Sequence, residues 1–585
     1  MGDRLRSLRY LASDLLYVIA RVPRAIASGV ARFWRSLPII TRRRLVAAAG
    51  AIAVVLVFAG LVVPSLPCAL PGGDECAPED DAIGLAPAGS LAYMHVNLDP
   101  ETEQAERAAE IAARMPLVAR QVIGQTLARV GAGAPLAAAS EPWFGGEAAV
   151  IVAGGGAEPE RVQLLETTDA ERAQRYAESI TSAVPETSSY RDVEISEDGQ
   201  GLASAVVDDF LLLGASQGVR AVIDVATGAD GAQSLADDSV ATRALDELPE
   251  HRFAEAYLSA DGIKAFVASP RGELSTFAPL VDSTASRGAA LALGTEEDRL
   301  SLATRSVLDP DRSDADSGFF AAFEDFNPEL PDELQPDALA YVGLGDASKT
   351  IAGLVRQATV RAPGIAAGFT DLIENLRGDS DVDLQGDLLE ALGGEAAFAV
   401  VPREAVDPEA DAVPSANTLT PYLELLADDV DEDRAREALA RLQGPIARSL
   451  DSEFGAPVFD QRRFGDLQAE VLRVSPVAQI LYATLGSKLL VANDVAAVEW
   501  LAEGSDDGLA DSDRYRETVD GLPDEPALLA YLDLRGLLAY AERSGLAEDT
   551  AYSTFAPDLR RLGSLGLAVS QDGDTLGVDA RLLVD

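Results

Sequence analysis

The residues best suited to nucleophilic chemistry lie in Gly214-Ala-Ser-Gln-Gly218, which fits the pattern Gly-x-Ser-x-Gly. An apparent strand precedes this segment and an apparent helix follows it, the context in which a sharp turn exposes a serine hydroxyl above a sheet. Asp237, Asp238 or Asp246, followed by His251, completes the chain order serine, acid, histidine. The pattern therefore admits a serine hydrolase with Ser216 and His251 as its catalytic residues.

The same motif has a structural interpretation, in which Ser216 caps the helix that follows. A matching segment later in the chain, Ala492-Asn-Asp494, offers capping residues but no nucleophile. Glu525 and Pro526 stand where a second His251 would fall. Because short motifs often match by accident, the sequence favours a cap, and we assign no catalytic residue from it.

A second pattern is Gly145-Gly146-Glu147, which recurs as Gly393-Gly394-Glu395. A functional interpretation places the two glutamates at equivalent positions, where they contact a cation or a peptide. A structural interpretation makes each pair of glycines a turn with positive φ that leads into a strand. The structural interpretation is favoured, since glycines at such positions solve a backbone problem.

Metal and cofactor chemistry finds little support in the spacing of residues. The chain has two cysteines, Cys68 and Cys76, and two histidines, His95 and His251, which lie far apart in sequence. Two nearby cysteines in an oxidising compartment predict a disulfide rather than a zinc site. The acidic runs lack calcium-loop spacing, and no nucleotide-binding fingerprint occurs, so we predict no metal and no cofactor. His95 is expected to be a hydrogen-bonded histidine within a strand.

The elements that position these residues follow one long apolar run, Leu45 to Val63. Its 19 residues span about 28 Å as a helix, close to the thickness of a bilayer core. Ten arginines and two aspartates precede it, which gives that segment a net charge of +8. The whole chain has a net charge of −49, so the remainder carries −57. The positive-inside rule then predicts a cytoplasmic N-terminus, a retained signal anchor at 45–63 and an extracytoplasmic C-terminal region at the cell membrane.

The flanking segments have distinct characters. Residues 1–44 form a basic amphipathic pattern, typical either of a helix on an anionic membrane surface or of a stretch that only enforces topology. Residues 64–82 are a Pro/Gly-rich stalk that holds the cysteine pair. The strong negative charge beyond the membrane disfavours nucleic acid as a partner.

Self-comparison indicates an internal duplication. The opening Pro87-Ala-Gly-Ser-Leu-Ala-Tyr93 recurs as Pro336-Asp-Ala-Leu-Ala-Tyr341, and Thr276-Phe-Ala-Pro279 recurs as Thr554-Phe-Ala-Pro557. Further blocks recur between them in the same order. We predict a first extracytoplasmic repeat at 83–308, an acidic linker at 309–335 and a second repeat at 336–585.

Each repeat mixes long helices with hairpins, which predicts an α+β fold. It would consist of two tandem homologous domains with largely antiparallel sheets and packed helices, preceded by one transmembrane helix. The final hairpin turns through Asp572-Gly573, a strong hairpin signal.

These blocks resemble a bacterial family of membrane-anchored proteins known as domain of unknown function 3352. The resemblance rests on the opening from Leu85 to Pro100, on Trp143-Phe-Gly-Gly-Glu-Ala-Ala149 and on the Thr-Phe-Ala-Pro segment before the final hairpin. It implies an architecture and a location, and it carries no activity. The prediction is therefore a non-enzymatic envelope module that binds an apolar ligand or an envelope protein, with a serine hydrolase or a purely structural spacer as alternatives.

Overall fold

The computed structural model describes residues 79–99, 102–119, 141–154, 160–180, 186–199, 201–267, 285–296, 298–311, 324–350, 352–353, 389–403, 421–449, 458–465, 467–475, 478–504, 507–543 and 546–585. The predicted cytoplasmic segment, the predicted transmembrane helix, Cys68 and Cys76 lie outside these residues. In the described part, no helix is long and apolar enough to cross a membrane.

Ten strands of the first half form a continuous antiparallel arrangement. From its outer edge to its inner edge, the order is β4-β5-β6-β7-β3-β2-β1-β8-β9-β10. The strands are β1 (Ser90–Asn97), β2 (Phe144–Ala153), β3 (Glu160–Thr167), β4 (Glu186–Tyr190), β5 (Val193–Glu197), β6 (Leu202–Val207), β7 (Phe210–Ala215), β8 (Ala254–Ser259), β9 (Ser286–Glu296) and β10 (Arg299–Leu308).

Ten strands of the second half are ordered β14-β15-β16-β17-β13-β12-β11-β18-β19-β20, again antiparallel throughout. They are β11 (Ala340–Leu344), β12 (Ala396–Val401), β13 (Tyr422–Ala427), β14 (Phe459–Phe464), β15 (Leu467–Ser475), β16 (Ala478–Leu485), β17 (Lys488–Ala492), β18 (Leu528–Leu532), β19 (Leu562–Asp572) and β20 (Thr575–Val584).

The two halves join through their innermost strands. Strand β10 pairs with β20 along nine residues, from Arg299 opposite Leu583 to Val307 opposite Thr575, with Ala303 opposite Asp579 at the centre. All twenty strands therefore belong to one antiparallel sheet. The prediction of an α+β fold with antiparallel strands is confirmed, and the two sets of strands are joined in a single sheet.

Burial along the strands explains their places in the sheet. Strand β7 (Phe-Leu-Leu-Leu-Gly-Ala) is buried at five of its six residues, as expected for a central strand covered on both faces. Strand β4 (Glu-Thr-Ser-Ser-Tyr) is exposed at four of its five residues and lies at the outer edge. Polar residues at an edge suit a strand that has no neighbour on one side.

Helices cover the sheet where their sequences provide an apolar stripe. Helix α1 begins after Thr102, whose side chain accepts a hydrogen bond from Ala105 N, and its buried residues recur three and four positions apart. The helices are α1 (Glu103–Arg114), α2 (Ala170–Ile180), α3 (Ser216–Ala226), α4 (Ser239–Asp246), α5 (Ala260–Val267), α6 (Glu432–Ser449), α7 (Val495–Glu503), α8 (Asp513–Val519), α9 (Leu534–Arg543) and α10 (Thr550–Leu559).

The end of the chain packs into the core of the first half. Phe555 and Leu559 of α10 and Val584 of β20 contact the cluster that contains Ile111 and Met115. Asp558 is buried and accepts hydrogen bonds from the backbone N–H groups of residues 117 and 118. The halves therefore share both a strand pair and a core.

The segments predicted as stalk and linker contribute to the folded part. Ala82, at the end of the predicted stalk, is fully buried and begins the short 3-10 helix Ala82–Leu85. Leu330 and Leu334, within the predicted linker, are buried in a core of the second half. A 3-10 helix, Leu330–Asp332, lies there before β11.

The ion pair at the centre of the joint provides a test of its importance. Arg305 donates to Asp579 through both terminal nitrogens at 3.0–3.2 Å, and both side chains are largely buried. We expect Asp579→Ala to lower the free energy of unfolding by about 1–2 kcal/mol, because it removes a charged, paired acceptor. Urea unfolding followed by circular dichroism measures the change.

The matched control for this test is Asp524→Ala, at an exposed position. This control should stay within about 0.5 kcal/mol of the parent protein. Equal losses in the two variants would contradict a stabilising role for the pair.

Candidate functional site

Three neighbouring strands, β2, β1 and β8, bring ionisable side chains together inside the first half. His95 of β1 lies directly opposite Glu255 of β8. On its other side His95 lies opposite Ala149 of β2, and Glu147, two residues before Ala149, is its diagonal neighbour. Residues opposite or diagonal to each other in this way share a face of the sheet. Asp80 reaches the same place from the start of the 3-10 helix that precedes β1.

The side chains of this cluster lie close together and are shielded from water. His95 has no exposed surface, and Glu147 and Glu255 are buried as well. His95 Nε2 lies 3.5 Å from Glu147 Oε1, and His95 Nδ1 lies 3.8 Å from Glu255 Oε1. Asp80, His95 and Glu147 each offer one ligand atom, and these three atoms lie within 4.8 Å of one another.

Each carboxylate of the cluster is anchored on one side. Asp80 Oδ1 accepts from Ile83 N at 3.0 Å and from the Tyr93 hydroxyl. Glu147 Oε1 accepts from the backbone N–H of residue 82 at 2.8 Å, and Glu255 Oε2 accepts from Arg252. These contacts tie the 3-10 helix and the turn before β8 to the cluster.

Among the described residues, His95 Nδ1 and His95 Nε2 are buried without a hydrogen-bond partner, and Asp80 Oδ2 receives no N–H or hydroxyl donor. The Asp80 carboxyl lies close enough to those of Glu147 and Glu255 to share a proton with them. The prediction of a hydrogen-bonded His95 is therefore wrong. Buried polar groups are satisfied in the great majority of cases, so an imidazole with both nitrogens unpaired calls for an explanation. The arrangement can hold shared protons or a cation.

Burial dominates the electrostatics of the cluster. It lowers the pKa of His95 to about 4, so the ring is neutral at pH 7, although the carboxylate of Glu255 opposes this shift. Burial raises the pKa of Glu147 to about 8, and the nearby carboxylates of Asp80 and Glu166 add to the effect. Burial likewise raises the pKa of Asp80 and of Glu255. The cluster therefore retains protons at neutral pH.

The corresponding place in the second half has a different chemistry. In the pairing of β11 with β18, Gly343 lies opposite Leu529, where β1 and β8 place a histidine and a glutamate. The ring of Tyr515 packs edge-on against Tyr341 and Tyr531, with ring centres 6.1 and 5.2 Å apart. Tyr341 and Tyr531 match Tyr93 and Tyr257 by strand register, so the second half keeps the two tyrosines and lacks the histidine and the acid opposite it.

The two Gly-Gly-Glu segments share a role in positioning backbone. Glu395 accepts from Glu329 N at 2.7 Å and from Leu330 N at 2.9 Å, and so caps the 3-10 helix before β11. Glu147 holds the 3-10 helix before β1 in the same way. Both glutamates therefore have a structural task, and only Glu147 also faces a histidine.

The glycines of these segments meet two different requirements. Gly146 has a φ of 120°, a conformation that favours glycine, and a Cβ on Gly145 would lie 2.4 Å from Glu166 Cδ. Gly393 and Gly394 do not have positive φ; a Cβ on Gly394 would lie 2.9 Å from a backbone carbonyl oxygen. The expected positive φ therefore occurs in the first segment, and close packing explains the second.

Ser216 does not face a histidine. It is the first residue of α3, and its hydroxyl donates to Glu197 Oε1 at 2.6 Å, an oxygen that also accepts from Arg220 at 2.9 Å. The N-cap position belongs to Ala215, which makes no side-chain cap, so the prediction that Ser216 caps the helix is wrong. In the second half, Asp494 does cap α7 and accepts from the N–H of residue 496.

The sheet keeps Ser216 and His251 apart. Ser216 follows the C-terminal end of β7, and the exposed His251 precedes the N-terminal end of β8. Three strands, β3, β2 and β1, lie between β7 and β8, a separation of about 19 Å across the sheet. Because β7 and β8 run in the same direction, the C-terminal end of β7 and the N-terminal end of β8 also lie at opposite ends of the strands. The structure does not assemble a catalytic triad from these residues.

Sequence reasoning missed Asp80 and Glu255 as members of the cluster. Asp80 falls in the segment predicted as a stalk, and Glu255 is an isolated acid within the apolar strand Ala-Glu-Ala-Tyr-Leu-Ser. A charged residue inside an apolar strand was the available signal. Its partner depended on strand register, which the sequence alone does not specify.

A further buried carboxyl lies in the second half. Glu424 of β13 is 3% exposed, and within the described part of the chain its Oε1 atom has no hydrogen-bond partner. Burial raises its pKa to about 8, and the carboxylate of Asp337 adds to the shift. By strand register the matching residue of β3 is Val162, since Val162 pairs with Ile151 and Glu424 with Ala399.

Comparison with known proteins identifies a family but no activity. A family model described as "Protein of unknown function (DUF3352)" matches residues 48–582. No curated protein matches the chain. Among solved structures, crystal form I of TP0453 covers 40% of this chain and 81% of its own, at 8% identity and a TM-score of 0.24. Crystal form III of TP0453 covers 40% and 82%, with the same identity and TM-score. A likeness this low supports no argument about fold or function.

The titration of Glu424 predicts how stability depends on pH. Its folded pKa, about 8, lies above the ordinary value of 4.5, so the folded state holds a proton that the unfolded state has released. This contribution to stability is therefore present below pH 4.5 and is lost as the pH rises to 8. We expect Glu424→Gln to reduce the loss of stability between pH 5 and pH 8 by on the order of 3 kcal/mol, at about 1.4 kcal/mol per pKa unit.

Urea unfolding at a series of pH values measures this effect. Glu503→Gln, at an exposed position, is the matched control and should leave the pH profile unchanged. Parallel profiles for Glu424→Gln and the parent protein would show that Glu424 does not titrate in this way.

Proposed function

The chain belongs to the DUF3352 family of proteins of unknown function, and we propose that it is a membrane-anchored, extracytoplasmic protein that binds a partner without catalysis. Leu45 to Val63 would be its single anchor, with the N-terminal segment in the cytoplasm and the acidic remainder outside. The observation that carries the proposal is the charge asymmetry of +8 and −57 on the two sides of the only long apolar run.

An internal duplication is part of the proposal, and strand register supports it. Hairpins β9–β10 and β19–β20 align when Glu296 is matched with Asp572 and Arg299 with Thr575. With this alignment Ala303 corresponds to Asp579, and these two residues face each other across the joint. A pairing of equivalent strands about a two-fold axis is the arrangement that identical subunits adopt in a dimer.

The absence of catalysis is proposed from the candidate nucleophile. The hydroxyl of Ser216 donates to a carboxylate, and His251 lies far across the sheet, so the arrangement gives no activated serine. The alternative of a serine hydrolase is therefore not favoured.

The junction between the halves favours a polar partner over an apolar ligand. An open depression there has a volume of about 400 Å³ and is lined mainly by charged side chains. Its charged lining residues are Arg114, Glu296, Asp298, Arg299, Glu517 and Asp585. Apolar ligands bind in clefts with predominantly hydrophobic walls, so a protein partner is the better match for this charged depression. The net charge of −57 beyond the apolar run favours basic groups on that partner.

Reporter fusions test the proposed orientation. Alkaline phosphatase, which is active only outside the cytoplasm, should be active when fused after residue 585 and inactive when fused after residue 44. Replacing Arg42, Arg43 and Arg44 by glutamate should lower the activity of the C-terminal fusion, because it removes the charges nearest the apolar run. The matched control replaces Arg4, Arg6 and Arg9, which lie far from it. Equal activity of the fusions at 44 and 585 would contradict the topology.

Native mass spectrometry tests the proposed binding. The full chain, gently extracted from its own membranes with and without a mild crosslinker, should carry the added mass of a protein partner. A small added mass retained on the folded chain would favour an apolar ligand instead. A bare chain under both conditions would favour a structural spacer.

A further inference from the structure

We propose that Asp80, His95 and Glu147 bind one divalent transition-metal ion inside the first half of the protein, and that Zn²⁺ fits this site best. The proposal rests on the fully buried imidazole of His95, whose nitrogens have no hydrogen-bond partner and whose Nε2 atom faces a carboxylate. A cation bound to Nε2 and to the carboxylates of Asp80 and Glu147 would give that nitrogen the partner that it lacks.

The spacing of the atoms suits a small ion. Zinc bonds to nitrogen and carboxylate oxygen are about 2.0–2.2 Å long, so two ligand atoms of a tetrahedral site lie about 3.4 Å apart. His95 Nε2 and Glu147 Oε1 are 3.5 Å apart. The ligand atom of Asp80 lies within 4.8 Å of the other two, so a shift of about 1 Å in one side chain closes the site.

Lone pairs remain free for the ion on both acids. The hydrogen bonds from Ile83 and Tyr93 both go to Asp80 Oδ1, so among the described residues Oδ2 receives no N–H or hydroxyl donor and meets only the carboxyls of Glu147 and Glu255. The carboxylate of Glu147 accepts from the backbone N–H groups of residues 81 and 82, and a carboxylate has further lone pairs that can bind an ion. Backbone hydrogen bonds thus fix both side chains and leave carboxylate lone pairs that can bind the ion.

A second layer of residues orients the histidine. Glu255 Oε1 lies 3.8 Å from His95 Nδ1, on the side of the ring opposite Glu147, and Arg252 holds the other oxygen of Glu255. A carboxylate behind a metal-binding histidine fixes its orientation and raises its basicity. The chain of contacts from Arg252 through Glu255 to His95 is thus of the kind that supports a metal site.

The donor atoms select the class of ion. One imidazole nitrogen with two carboxylates suits zinc and neighbouring transition metals, whereas Mg²⁺ and Ca²⁺ prefer oxygen alone. Three protein ligands leave a fourth position open on a tetrahedral ion. Asp80 is the least buried of the three proposed ligands.

The second half provides an internal comparison. Gly343 and Leu529 occupy the places of His95 and Glu255, and Tyr341 donates to the remaining glutamate, Glu395, at 3.1 Å. That half has neither the imidazole nor the acid behind it. We therefore expect one ion for each chain.

The test uses the full-length protein in detergent, with Cys68→Ser and Cys76→Ser introduced so that thiols cannot bind the metal. After chelator treatment and dialysis, Zn²⁺ is titrated against a chromophoric chelator, and bound metal is counted by mass spectrometry. We expect one Zn²⁺ per chain, and visible absorption bands of a tetrahedral ion when Co²⁺ replaces it.

Variants then identify the ligands. His95→Gln and Asp80→Asn should each weaken Zn²⁺ binding by at least about tenfold, and Glu255→Gln, which acts through His95, by about tenfold. Glu395→Gln, at the matching position of the second half, should bind Zn²⁺ like the parent protein. Asp80→Asn keeps its shape and is half-buried, so it tests the site even if His95→Gln fails to fold.

Two results would overturn the proposal. The first is the failure of the folded parent protein to bind Zn²⁺ or Co²⁺, which would leave a cluster that only shares protons. The second is one bound Zn²⁺ that Asp80→Asn and His95→Gln do not weaken, which would place the ion elsewhere. Neither result bears on the proposed membrane topology, which the reporter fusions test separately.

Discussion

The antiparallel pairing of β10 with β20 is the interaction on which the rest of the structure depends. It joins two sets of ten strands along nine residue pairs and so makes one sheet of the whole described fold. An unpaired inner strand in either half would expose a long row of backbone donors and acceptors. Once the strands pair, α10 comes to lie over the first half, where Asp558 caps residues 117 and 118. Removing the second half would therefore uncover part of the core of the first half.

Arginine is used at this joint in a way that suits the acidic composition of the chain. Arg305 forms a two-pronged contact with Asp579, Arg243 donates to Asp574 at 2.7 Å, and Arg581 donates to Glu296 at 2.9 Å. The planar guanidinium binds carboxylates through parallel hydrogen bonds, which a lysine cannot reproduce. These contacts offset part of the repulsion between acidic groups where the halves meet, and they fix the register of the pairing.

The buried cluster shows how one scaffold position supports two kinds of chemistry. Strands β2, β1 and β8 place Glu147, His95 and Glu255 on one face. In the second half the matching positions are Glu395, directly before β12, Gly343 of β11 and Leu529 of β18. The shared glutamate holds a 3-10 helix in both halves. The additional ionisable groups of the first half cost desolvation energy, which raises the pKa of Glu147 and lowers that of His95. A bound cation would offset that cost, since it interacts favourably with both carboxylates.

The sequence by itself determined the local elements and the class of fold. Strands β1, β12 and β13, helices α2 and α6, and the Asp572-Gly573 hairpin follow from alternation, capping acids and turn residues, all of which act within a few positions along the chain. The family resemblance and the recurrence of Gly-Gly-Glu could also be identified from the sequence.

Only the tertiary structure decided which residues meet. Asp80, His95, Glu147 and Glu255 come from four separate segments, and a shift of one residue in any strand pair would turn its side chain to the other face. Strand order likewise separates Ser216 from His251. These residues satisfy the chain order of a triad but lie four strands apart and at opposite ends of the strands. Long-range register depends on the summed packing of both faces of the sheet, and no local pattern of residues encodes it.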